Sequence, residues 1–181
     1  MRRRGPLPVG MLAVALPVAA LFALSPSFAT AQASGGIQPF VGVWKLNFEA
    51  SHLRVSPGFA VYRQFKNDGG GWMSHTLITI TPAGTSFLFT AARYDGKPYA
   101  DYTPASLGNL VRQGTKPPRT VTFNRVDAHQ IRWADRVNGQ VVARGTETIS
   151  PNGNTLTITN QPPGQKTITT QVFDRVSGPG R

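Results

Sequence analysis

Thr120–Asn160, TVTFNRVDAHQIRWADRVNGQVVARGTETISPNGNTLTITN, decides the fold. Runs rich in Val, Ile, Thr and aromatic residues cover Thr120–Val126, Gln130–Val137, Gln140–Ile149 and Thr155–Asn160. Asp127-Ala128-His129, Asn138-Gly139 and Pro151-Asn152-Gly153 separate them. β-Branched and aromatic side chains suit a pleated surface, and Asn-Gly supplies the two positive-φ residues of a tight hairpin. The stretch predicts a four-stranded antiparallel meander.

Strand alternation then predicts which side chains share a face. A two-residue turn at Asn138-Gly139 sets Asp135 opposite Val142 and Trp133 opposite Arg144. A three-residue loop at Pro151-Asn152-Gly153 pairs Thr148 with Leu156 and Thr146 with Ile158, and an odd loop over Pro163 pairs Ile158 with Ile168. An odd loop at Asp127-Ala128-His129 sets Phe123 opposite Trp133. One face collects Phe123, Arg125, Ile131, Trp133, Asp135, Val142, Arg144, Leu156, Ile158, Ile168 and Val172, and its apolar bulk points it inward. An unpaired charge is too costly for a dry core, so Arg125, Asp135 and Arg144 belong either at an open rim or in a wet cavity. In the cavity reading Arg144 stacks on Trp133 and awaits a carboxylate or sulfate head group.

Outward from the meander, the rhythm of strand and punctuation continues. Gly42–Phe48, Ala60–Lys66, Trp72–Thr81, Thr85–Tyr94 and Thr167–Arg175 read as strands, between turns such as Asp68-Gly69-Gly70-Gly71, Pro82-Ala83-Gly84, Asp95-Gly96 and Gln161-Pro162-Pro163-Gly164. In the 72–93 hairpin both faces are half apolar, which suits a barrel wall and a sandwich equally. Ala100–Arg119 breaks the rhythm. Thr103-Pro104 followed by Leu107, Leu110 and Val111 predicts a capped, short amphipathic helix that closes one end of whatever the strands enclose.

The N-terminus stands apart. Arg2, Arg3 and Arg4 precede an apolar run, Met11–Leu24, and an Ala31-Gln32-Ala33 cleavage pattern. This is the anatomy of a secretory signal peptide, and the run is short of the roughly 20 residues of a spanning helix. The expected organisation is a signal peptide at 1–33, a flexible lead-in at 34–39, one domain at 40–176 and a flexible tail at 177–181. The mature protein is then exported, to the periplasm or beyond the cell, with no transmembrane segment. All 8 acidic residues stay and three of the 19 basic ones leave, so a surplus of eight positive charges remains. Outside the cytoplasm such a surplus meets anionic lipid, cell-wall polymer or acidic small molecules rather than nucleic acid.

The sequence offers no catalytic constellation. It has no cysteine, which excludes a disulfide framework, a thiolate nucleophile and a Cys-ligated metal site. His52, His75 and His129 are scattered, without metal-ligand spacing. A Gly-x-Ser-x-Gly elbow and a phosphate loop are both missing, and Gly69-Gly70-Gly71 leads into a strand rather than a helix. No enzyme activity, cofactor or metal is expected.

Phe40-Val41-Gly42-Val43-Trp44-Lys45-Leu46-Asn47 resembles the first strand of small exported bacterial proteins described as lipocalin-like. Tyr94-Asp95-Gly96-Lys97-Pro98-Tyr99 resembles their following hairpin, and Phe173-Asp174-Arg175 their closing aromatic-Asp-basic triplet. The resemblance implies a single antiparallel up-and-down β-barrel of about 8–10 strands of the calycin type. It also implies that Gly42 and Trp44 lie at the barrel base with Arg175 covering the indole. It assigns no biochemical activity.

Two functions are expected. In the first, the barrel binds a small hydrophobic or amphiphilic, anionic molecule through Phe123, Arg125, Ile131, Trp133, Asp135, Arg144 and Ile158. In the second, a filled barrel docks through its basic exterior on anionic envelope lipid or polymer.

Overall fold

The computed structural model describes residues 38–177, so the signal peptide at 1–33 and the last four residues of the tail lie outside the described residues. A 3-10 turn at Gln38–Phe40 leads into ten strands. They are β1 (Gly42–Leu46), β2 (Ala60–Gly69), β3 (Trp72–Thr81), β4 (Gly84–Ala92), β5 (Asp95–Ala100), β6 (Arg119–Arg125), β7 (Gln130–Val137), β8 (Gln140–Ile149), β9 (Thr155–Asn160) and β10 (Thr169–Ser177). One helix, α1 (Pro104–Gln113), sits between β5 and β6. Every ladder is antiparallel, and β1 pairs with both β2 and β10, so the sheet runs β4-β3-β2-β1-β10-β9-β8-β7-β6-β5 and curls into a nearly closed barrel.

The seam lies between β4 and the chain leaving β5. One bridge spans it, with Phe89 and Tyr102 exchanging both backbone hydrogen bonds at 2.8 Å. Beside the bridge, the Thr90 hydroxyl donates to Asp101 at 2.7 Å, and the Asp101 N–H donates to the Arg119 carbonyl. The helix begins directly after this crossing. Thr103 and Ser106 form a reciprocal capping box, Pro104 opens the first turn, and Gly114 closes the last in the left-handed conformation. α1 touches β4 but buries none of its residues, and Val111 stays exposed.

At one end the barrel is solid. Phe40, Trp44, Phe65, Ile131, Ile149, Leu156 and Phe173 are almost fully buried. The Trp44 Nε1–H donates to the Phe40 carbonyl at 2.9 Å. The Arg175 guanidinium lies 3.9 Å from the indole centroid and donates to the carbonyls of Pro39, Val41 and Gly153. Gly42 is buried there at φ +139°, a backbone state that favours glycine.

Register corrects the parity reading at three places. Phe123 does oppose Trp133. Across the Asn138-Gly139 hairpin, however, pairing begins Val137↔Gln140 and Arg136↔Val141, then slips to Asp135↔Ala143. Val142 is the extra residue, a β-bulge, and one extra residue reverses the facing of everything beyond it. Arg144 and Thr146 therefore turn outward, while Ala143, Gly145 and Glu147 turn in. The next loop pairs Glu147 with Ile158, one step from the expected register, and this second slip returns Leu156 and Ile158 to the interior. In β10, Gln171 and Phe173 oppose Ile158 and Leu156. That leaves Ile168 exposed and sends Val172 to the face opposite Phe173. β5 is a strand where the sequence suggested only a turn, because a register shift between Asp95 and Pro98 absorbs the turn residues into pairing with β6.

Candidate functional site

Above the solid base the barrel holds a cavity of about 220 Å³. Its apolar wall is Leu77, Leu88, Val121, Phe123, Trp133 and Ala143, and its polar wall is Arg63, His75, Thr90, Asp101, Arg119, Asp135, Glu147 and Asn160. The two-faced hairpin resolves here: Met73 is buried while His75 and Leu77 line the cavity, so this set faces in.

The polar side chains form two groups at different depths. The deep group centres on Arg63 of β2. Its Nη1 lies 2.9 Å from His75 Nε2 and 3.4 Å from Glu147 Oε1, and its guanidinium is 5.5 Å from the Phe173 ring centroid. His75 is sandwiched by stacking on Phe65 and edge contact with Phe123. Burial, reinforced by Arg63, holds its pKa well below the usual histidine value, so it is neutral and Nε2 accepts from Arg63. Burial pushes the Glu147 carboxyl up to about 7 against the opposing pull of Arg63. It also lowers the Arg63 pKa and raises that of Tyr94 well above the ordinary phenol value.

The shallow group staples the seam. Arg119 Nε donates to Asp101 Oδ2 at 3.0 Å, and its Nη2 donates to Asp135 Oδ2. Burial, with Asp101 nearby, raises the Asp135 pKa although Arg119 opposes it. Side-chain exposure is 38% at Arg119 against 14% at Arg63 and 2% at Glu147, so solvent reaches the shallow group at Arg119, while Asp101 and Asp135 beside it stay buried. Asp135 pairs with Ala143, and Glu147 is four residues further along β8, which sets the two groups about 13 Å apart along the wall. Trp133, opposite Gly145, lies between them.

The lining is not internally satisfied. Arg63 Nε, Trp133 Nε1, Asp135 Oδ1, Glu147 Oε2 and Asn160 Oδ1 are buried without a protein partner, as is the Tyr94 hydroxyl. Buried polar atoms are nearly always hydrogen-bonded, so such a concentration in one cavity marks a place built to meet something else.

Of the seven candidate binding residues, Phe123, Trp133 and Asp135 line this cavity. Ile131 and Ile158 belong to the packed core beneath it. Arg125 and Arg144 do not reach it. Arg125 keeps the inward register opposite Ile131, but it stands at the end of β6, exposed, with Nε donating to the Asp127 carbonyl. Arg144 is on the outer wall because of the Val142 bulge. The anionic head group loses both arginines on which it rested.

The interior guanidiniums are instead Arg63 and Arg119, which sequence reasoning passed over along with His75, Asp101 and Glu147. One signal was present for Glu147. Gly145 interrupts β8, and glycine within a strand marks a bulge or a close backbone approach. A Cβ there would stand 1.8 Å from the Thr159 carbonyl oxygen. Among the described residues no three His, Asp or Glu side chains gather as a metal site, and no helix is long and apolar enough to cross a membrane.

Comparison with solved structures finds the same architecture. A variant of the fluorescent protein UnaG matches with a TM-score of 0.53 at 13% identity, covering 78% of this chain and 99% of that one. Fatty-acid-binding protein 1 of Echinococcus granulosus matches with a TM-score of 0.49 at 12% identity, covering 77% and 98%. The Schistosoma mansoni fatty-acid-binding protein in complex with arachidonic acid gives 0.49 at 13%, covering 78% and 99%. At these identities the likeness is one of fold alone, and it rests on the first of the three. No family model matches the chain, and no curated protein matches it by sequence.

Proposed function

We propose that this is an exported binding protein that holds one small amphiphilic molecule inside its barrel and does not transform it. The observation that carries the reading is the cavity itself: an apolar wall facing buried polar atoms that the protein leaves without partners. Apolar burial supplies affinity at about 25 cal/mol per Å², and a few fixed polar groups supply orientation. At about 220 Å³ the cavity falls below the roughly 300–1,000 Å³ of drug-sized ligand sites, so the occupant is smaller than those ligands. His75 is a poor general base, since its Nε2 lone pair faces Arg63. Export rests on the Arg2–Arg4, Met11–Leu24 and Ala31-Gln32-Ala33 pattern, and a secreted mass beginning at Ser34 would establish it.

The test is calorimetric titration with six-carbon amphiphiles, namely hexanol, hexylamine and hexanoate. Saturable one-to-one binding of at least one, abolished by filling the cavity with Ala143→Phe or Leu77→Phe, supports the reading. No saturable binding, or binding indifferent to both folded variants, overturns it.

A second reading concerns the outer wall. Arg132 and Arg144 line a shallow concavity with Thr122, Thr146 and Thr159, Arg136 lies beside it, and no acidic residue lines either. This wall supports docking on an anionic envelope lipid or polymer. Salt-sensitive co-sedimentation with anionic vesicles, lost in an Arg132→Glu/Arg144→Glu double variant, is its test.

A further inference from the structure

The interior places three carboxylates, Asp101, Asp135 and Glu147, against two guanidiniums, Arg63 and Arg119, around one cavity. Both guanidiniums are already engaged by carboxylates. At the shallow end the imbalance is local, because Asp101 and Asp135 share the single Arg119.

A structural explanation accounts for part of this group. Asp101 ties the seam through Thr90, and Arg119 anchors Asp101 where the chain returns from α1. It does not account for Asp135. That residue is on β7, away from the seam, it adds a second negative charge to an arginine already paired, and its Oδ1 is buried with no protein partner. Asp135 helps hold Arg119, but burying a second carboxylate with an unpartnered oxygen beside one guanidinium costs stability that this contact alone does not return. Glu147 repeats the pattern deeper in the wall: it is 1% exposed, with Oε1 on Arg63 and Oε2 unpartnered. Both carboxylate residues line the same cavity.

We infer that the ligand carries a cationic, hydrogen-bond-donating group, an ammonium or amidinium, which binds at Asp135 near the mouth with the apolar remainder against Trp133, Leu77 and Leu88. This rests on the interior-binding reading and names its ligand class. A bound ammonium would balance the interior charge at two cations with the Asp101–Asp135 pair and complete the Oδ1 valence. A carboxylate ligand would place a further anion beside the Asp101–Asp135 pair, whose single guanidinium is already occupied. The Trp133 Nε1–H and Arg63 Nε–H remain free to meet an acceptor further along the ligand.

The experiment is the same titration read as a preference, in 0.15 M salt so that surface attraction is screened. The cavity-filled variant supplies the exterior background. The expected result is that hexylamine binds about tenfold or more tightly than hexanol, and hexanoate more weakly than either. Asp135→Asn should abolish the preference for hexylamine over hexanol. Hexanoate equal to or tighter than hexylamine overturns the inference and leaves interior binding intact, as does an unaltered preference in folded Asp135→Asn. If that variant fails to fold, the wild-type order of the three probes still decides. Failure of all three to bind overturns both the inference and the reading beneath it.

Discussion

The barrel buries tryptophan and arginine donors in two places, the solid base and the cavity lining, and the two differ in satisfaction. At the base, Trp44 donates to the Phe40 carbonyl, and the covering Arg175 gives its N–H groups to three backbone carbonyls. In the cavity, Trp133 Nε1 and Arg63 Nε are buried with no protein partner. The first pair is closed onto its own chain and acts as a plug. The two cavity-lining donors are left without partners, although leaving a buried donor unmade costs about 1–3 kcal/mol. Satisfaction of these donors is the difference that separates scaffold from site.

The sharpest way to break the comparison is truncation at the base. Trp44→Ala should cost about 3–5 kcal/mol in urea unfolding, by leaving a void under Arg175. A loss below about 1 kcal/mol would show that the base is no more essential than the cavity.

A second effect of similar size depends on pH. Glu147 ionises near 7 in the folded barrel against 4.5 for its ordinary value, so the unfolded chain gives up its proton first. Stability should therefore be highest at or below about pH 4.5 as far as this residue is concerned. It should fall by roughly 3 kcal/mol up to about pH 7 and be flat above. Glu147→Gln should remove that slope from pH-dependent unfolding curves, and an unchanged slope would refute the assignment.

A finer contrast compares the two indoles directly. Trp44→Phe loses a made hydrogen bond and should cost about 1–2 kcal/mol. Trp133→Phe removes an orphan donor and should change stability by less than about 1 kcal/mol, while weakening any ligand with an acceptor placed there. The smallest expected effect is Arg144→Ala on the outer wall, within about 0.5 kcal/mol and without influence on interior binding. If it abolished uptake of the six-carbon probes, the outward placement of Arg144 would be wrong.

Much of the scaffold was legible because its signals are local. The Asn138-Gly139 turn takes φ of +50° and +81°, as a tight hairpin requires, and Thr103-Pro104 caps α1 as its residue types dictate. Phe123, Trp133 and Asp135 were placed correctly on the inner face because no irregularity intervenes between them. Arg144 was misplaced by a single residue, Val142, and the same residue hid Glu147. Arg63 and His75 escaped notice because β2 and β3 mix polar and apolar residues on both faces, so parity could not choose between them. Asp101 lies in a segment that reads as a connector, and only the folded seam gives it partners.

The sequence by itself determined an antiparallel chain, most of its turns and the helix between β5 and β6, because these follow from backbone preference and hydrophobic alternation over a few neighbours. Tertiary structure alone decided which charges are enclosed. Facing changes with every bulge, and whether a bulge forms depends on strands paired across the whole barrel, not on the residues beside it.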